Sequence, residues 1–162
     1  MLNQVKGVLD HVLVAEPIDI AYLVDVDINI GEVSALFMLV NVETEETVIL
    51  APASVTFNIS AKIVNYCEQL LNESKCLVGY PEEALTRVLK HYVRTGSKIG
   101  APLARMPASI TEVRIKHWSV VDISKLLNTL YFKKYDWELQ HIEHAKRKAE
   151  EIILSSKNSR DF

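Results

Sequence analysis

The chain has 162 residues, 49% hydrophobic and 24% charged, with a formal net charge of −3 at pH 7 and a pI near 6.0. That length holds one domain with a real core, and the apolar content excludes an intrinsically disordered chain. The slightly acidic balance excludes the global basic field that advertises nucleic acid.

Taken in chain order, the first third reads as strands. Residues 8–15 are mostly apolar and stop at Glu16-Pro17, where proline cannot donate to a ladder. Residues 18–30 alternate, with Val24, Val26, Ile28 and Ile30 on one face and Leu23, Asp25, Asp27 and Asn29 on the other. Gly31 offers a turn. Residues 33–42 are apolar on both faces, which predicts a strand covered on both sides and central in its sheet. The polar run 43–47 fits a hairpin loop leading into a strand at 48–51.

At residue 58 the period changes. Ile59, Ile63, Tyr66, Cys67, Leu70 and Leu71 recur at helical spacing, with Asn58 or Ser60 as N-cap. Residues 76–78 make a short strand, and a second helix starts at Pro81, with Glu82 and Glu83 in its first turn, Lys90, His91 and Arg94 near its end, and Thr95-Gly96 as its stop. Residues 96–108 show no periodicity and read as the longest loop. Residues 109–118 alternate as a strand with one wet face. Asp122 caps a helix that buries Ile123, Leu126, Leu127, Leu130 and Tyr131, and a charged helix runs from about 136 to 154. Tyr131, Phe132, Tyr135 and Trp137 form an aromatic cluster suited to a core or to a docked partner.

The fold class that follows is α+β: an N-terminal antiparallel meander of three or four strands, one or two further strands, and three to four helices packed on the sheet. One domain over 1–154 and a flexible tail over 155–162 are expected. The longest apolar run, Ala35 to Val40, is far short of the roughly 20 residues of a spanning helix. The charged start, with Lys6, Asp10 and His11, lacks the marks of a signal peptide, so a cytoplasmic chain with no membrane partner is expected. Cys67 and Cys76 match no zinc or redox spacing and read as reduced thiols, and the sequons at Asn58 and Asn72 carry no meaning without a secretory route.

One stretch bears on chemistry. Asp25, Asp27 and Asn29 occupy every second position, about 7 Å apart along one strand face, a placement from which carboxylates can hold Mg²⁺ or Mn²⁺. The plainer reading is the hydrated side of an amphipathic strand, with no cofactor, although Asp and Asn are poor strand residues. The order of elements resembles the ribonuclease-H-like fold, in which metal-binding acids sit in the middle of the first strand and later in the chain. That resemblance implies a metal-dependent nuclease or phosphodiester-cleaving enzyme with Asp25 and Asp27 as ligands, Glu82 or Glu83 as a further ligand, and His141 or an acid of the last helix completing the set. Glu68 and Glu73 are alternatives in the first helix. The strand at 8–15 is extra to that pattern.

Two weaker signals remain. Glu138, His141 and His144 recur at spacings of three, which suits either a shared metal or a solvated helix face. Arg94, Lys98, Arg105, Arg114 and Lys116 make a local basic set able to contact an acidic partner or a nucleic-acid backbone. The expectation from sequence is therefore a non-catalytic binding, regulatory or assembly module, self-associating or bound to a protein partner, with the nuclease as the alternative.

Overall fold

The computed structural model describes residues 2–24, 35–54, 61–67, 77–78, 80–106, 118–132, 134 and 136–158. The chain divides into two compact units, Met1–Leu127 and Asn128–Phe162.

In the first unit the strands are β1 (His11–Val14), β2 (Phe37–Asn41), β3 (Thr47–Pro52), β4 (Lys62–Cys67), β5 (Leu77–Val78), β6 (Lys98–Ala101) and β7 (Ser119–Asp122). They form one mixed sheet in the order β5–β4–β3–β2–β1–β6–β7. Antiparallel pairing joins β1 to β2, with Leu13 opposite Leu39, and β2 to β3, with Leu39 opposite Val48. The other four joints are parallel. The helices of this unit are α1 (Leu2–Val5), α2 (Pro17–Val24) and α3 (Pro81–Tyr92); the division falls within α4 (Ser124–Phe132), and α5 (Asp136–Asn158) belongs to the second unit. The architecture is the expected α+β one, a strand meander with helices packed on the sheet.

The period of two along each strand sends side chains to two cores. Leu13, Phe37, Leu39, Val48, Leu50 and Ile99 pack with Ala84, Leu85, Val88 and Leu89 of α3. On the opposite face Val12, Val14, Met38, Val40 and Ile49 pack with Val5 of α1, Ile20 of α2 and Ile123 just before α4. The strand expected to be apolar on both faces is β2, and it holds the middle of the seven.

Three expectations are corrected. Residues 17–24 are helical where a strand was expected from residue 18. Pro17 takes the first helical position, where its missing N–H costs nothing, and Asp19 sits in the first turn. Ile20 then turns into the core while Leu23 and Val24 pack against it, a helical spacing that the alternation farther along obscures. Residues 62–67 form β4 where a helix was expected, because pairing with β3 from Val48–Lys62 to Pro52–Tyr66 outweighs the helical spacing of the flanking apolar residues. The β-branched pair Ile63-Val64 fits that strand.

The third correction is at 98–101, expected as loop. These residues form β6, parallel to β1 and β7. Gly100 is there for packing: a Cβ at that position would overlap Leu9 Cδ1 and stand 2.9 Å from Ile123 Cγ2. The strand expected over 109–118 lies outside the described residues except for Trp118, and the acidic row at 25–30 lies outside them, as do Cys76 and both sequons. Among the described residues no helix is long and apolar enough to cross a membrane.

Candidate functional site

A cleft of about 790 Å³ opens at the end of the sheet where β1 and β6 begin and β2 finishes. Two glycine turns shape its rim. Gly7, at φ +80, follows α1 in a turn closed by Val8 N–H donating to Val5 O. Gly96, at φ +86, follows α3 in a turn closed by Ser97 N–H donating to Arg94 O. Positive φ at the third turn position is what glycine supplies without a Cβ penalty. The β2–β3 hairpin forms the third side, held by Asn41 Oδ1, which accepts from Glu43 N–H and Thr44 N–H, both at 3.0 Å.

Asp10 ties these pieces together. Its N–H donates to Lys98 O at 2.9 Å, its Oδ2 accepts from Lys98 N–H at 2.7 Å, and its carbonyl accepts from Val42 N–H at 2.9 Å. One residue thus fixes the start of β1 against both neighbours. Next to it His11 is only 7% exposed, and its Nδ1 makes no hydrogen bond among the described residues. Burial pushes the imidazole pKa below its ordinary value, against the pull of the Asp10 carboxylate, so the ring is neutral at neutral pH. Beside it lies a small hollow of about 30 Å³, lined also by Asn41, Glu46 and Tyr92. Lys6, Arg94 and Lys98 bring positive charge to the cleft, and Asp10 and Glu43 bring negative charge. A neutral imidazole among charges of both signs suits a small polar or zwitterionic ligand.

The residues expected from sequence are distributed otherwise. Of the basic set, Arg94 and Lys98 share the cleft. Arg105, in a short 3₁₀ turn after β6, instead donates to Asp19 at 2.6 Å, where the acid is fully buried and the arginine side chain 36% exposed. Arg114 and Lys116 lie outside the described residues. Of the metal set, Asp25 and Asp27 lie outside them as well. Glu82 and Glu83 stand at the start of α3, and His141 is exposed on α5 in the second unit. Among the described residues no three His, Cys, Asp or Glu side chains come close enough to share a cation. Sequence reasoning missed His11 and Asp19. Burial marks both, and a single titratable residue in an apolar run gives no periodic signal of it.

Comparison with known proteins found no matching family model and no match among curated proteins. Solved structures do match. A dipeptidase from Pyrococcus horikoshii OT3 superposes with a TM-score of 0.64 at 20% identity, over 95% of this chain and 42% of that one. A proline dipeptidase structure from Streptococcus pneumoniae TIGR4 gives 0.59 at 15% identity, over 82% of this chain and 95% of that one. The creatinase/prolidase N-terminal domain of an X-Pro dipeptidase from Streptococcus pyogenes gives 0.51 at 16% identity, over 79% and 91%.

This chain therefore spans less than half the length of the archaeal dipeptidase. These likenesses correct both functional expectations drawn from the sequence. The fold is that of domains belonging to dipeptidases, enzymes of peptide chemistry; it supports neither a non-catalytic self-associating module nor a nuclease.

Proposed function

We propose that this chain works as the amino-terminal part of a dipeptidase that cleaves the peptide bond preceding proline. The observation that carries the reading is the superposition on the archaeal dipeptidase over 95% of the chain. Two further dipeptidase structures, matched over about four fifths of this chain and nearly all of their own length, support the same frame. The mixed sheet, built from an antiparallel centre with parallel joints on both sides, is the feature that such a superposition has to reproduce.

The test is release of free proline from Leu-Pro and Gly-Pro by the protein as the cell makes it, with any chain that copurifies. Proline release from both, and none from Pro-Leu, is the expected result. A folded preparation that releases no proline from either dipeptide overturns the reading.

A further inference from the structure

All four residues of β1 are buried, and the first of them is a histidine. The period of two puts His11 on the side of Leu13, which packs with α3, yet neither strand neighbour brings the ring a partner. Ile99, opposite it in β6, has no polar side-chain atom, and Asn41, opposite it in β2, directs its side-chain oxygen to the hairpin turn. Buried polar side chains in folded proteins are paired. His11 is 7% exposed, its Nδ1 has no partner among the described residues, and its ring lines both the small hollow and the cleft of about 790 Å³.

Charge is the second, independent observation. Lys6 after α1, Arg94 after α3 and Lys98 at the head of β6 bring three cations to the cleft from three segments. All three are exposed, and among the described residues none forms an ion pair. Of the two acids there, Asp10 has its Oδ2 committed to the Lys98 amide at 2.7 Å, while Glu43 stands on the hairpin rim. Three cations against two acids attract an anion and still leave acceptors for a cation. Val8, 61% exposed, adds an apolar surface to the same cleft. An unprotonated Nδ1 takes an N–H donor, and a charged donor best. One small molecule that carries an ammonium, a carboxylate and an apolar side chain answers every one of these groups.

Independently of the dipeptidase reading, we infer that the cleft at the start of β1 is a binding site for a small apolar zwitterion, a free amino acid or a short peptide. Its ammonium donates to His11 Nδ1, its carboxylate meets Arg94 and Lys98, and its side chain lies along Val8.

Isothermal titration calorimetry on the protein as the cell makes it tests this with four probes: L-leucine, Leu-Leu, isocaproate, which lacks the ammonium, and isoamylamine, which lacks the carboxylate. The expected result is that L-leucine or Leu-Leu binds with a Kd below about 1 mM, the tighter of the two naming the source. Isocaproate and isoamylamine are each expected to bind at least about 10-fold more weakly, the loss of one charge-assisted contact. His11→Phe keeps the ring and removes the acceptor, and it is expected to raise the Kd of the zwitterion at least about 10-fold. Arg94→Gln/Lys98→Gln alters two exposed side chains, so it keeps the fold and decides the matter if His11→Phe does not fold; the same rise of about 10-fold is expected. No binding of either zwitterion up to about 10 mM overturns the site and leaves Nδ1 to a single water. Isocaproate binding as tightly as L-leucine overturns the ammonium contact. A Kd unchanged in Arg94→Gln/Lys98→Gln or in a folded His11→Phe places the bound molecule elsewhere and overturns it as well.

Discussion

Replacing Arg105 by Ala removes the guanidinium from a carboxylate that has no access to water. Asp19 is 0% exposed, and the pair is 2.6 Å apart. Breaking a fully buried ion pair from one side typically costs about 3 to 5 kcal/mol, because the remaining charge is stranded. Here the Arg105 side chain is 36% exposed, so water reaches the vacated end and the lower bound applies. The expected loss is about 3 kcal/mol, which at a urea m-value of about 2 kcal/mol/M lowers the unfolding midpoint by about 1.5 M. The diagnostic step is the second variant. Asp19→Asn keeps the shape and removes the charge, so an amide in that pocket no longer needs the guanidinium. The Arg105→Ala/Asp19→Asn double variant is therefore expected to be more stable than Arg105→Ala alone, by about 1 kcal/mol. Urea melts followed by far-UV circular dichroism measure all four proteins. A midpoint for Arg105→Ala within about 0.3 M of wild type, or a double variant weaker than the single, refutes the reasoning.

Other perturbations read other parts of the frame. Gly100→Ala drives a methyl into Leu9 and Ile123 and is expected to cost about 1 to 3 kcal/mol in a thermal melt, part of it recovered when Leu9→Ala is added. His11 has a pKa below its ordinary 6.5 in the folded protein, so stability is full above pH 6.5 and falls as the pH drops through the folded value. His11→Gln is expected to flatten the unfolding midpoint between pH 7 and 5. Asp122 accepts from the hydroxyl and the amide of Ser124, which hold its pKa below its ordinary 3.8. Its contribution is present above that value and lost as the pH falls further; Asp122→Asn is expected to remove this acid-side slope in amide exchange of α4. Ile49→Ala in the middle of β3 is expected to cost about 2 to 5 kcal/mol, whereas Phe132→Ala, at a side chain 88% exposed, changes stability by less than about 0.5 kcal/mol.

The elements that were legible in sequence are those whose pattern is set by two faces at once. β2 announced its central place because Phe37, Leu39, Met38 and Val40 leave no wet side. α3 announced itself by proline at its start, acids in its first turn and bases near its end. β4 and β6 were missed for a common reason: both are parallel strands whose identity rests on a partner outside the segment, 14 residues back for β4 and much farther for β6. β6 pairs with β1 across a separation of 88 residues, and four residues containing Gly100 carry no period of their own. The cleft was hidden likewise. His11, Asn41, Tyr92 and Lys98 come from four segments, and only the joint of β1 with both β2 and β6 brings them to one place. The ribonuclease-H-like outline came from element order, which does not determine what a frame is used for.

The double pairing of β1 has a consequence during synthesis. Once Pro52 has left the ribosome, β1, β2 and β3 can zip together by antiparallel contacts alone. The far side of β1 then stays open until Ile99 and Gly100 are made, close to 50 residues later. At ordinary elongation rates that is a wait of about 3 to 10 seconds. For that interval the nascent protein displays the bare edge of an almost wholly apolar strand, His11 to Val14, and it is there that a holdase or a neighbouring nascent chain finds its opening.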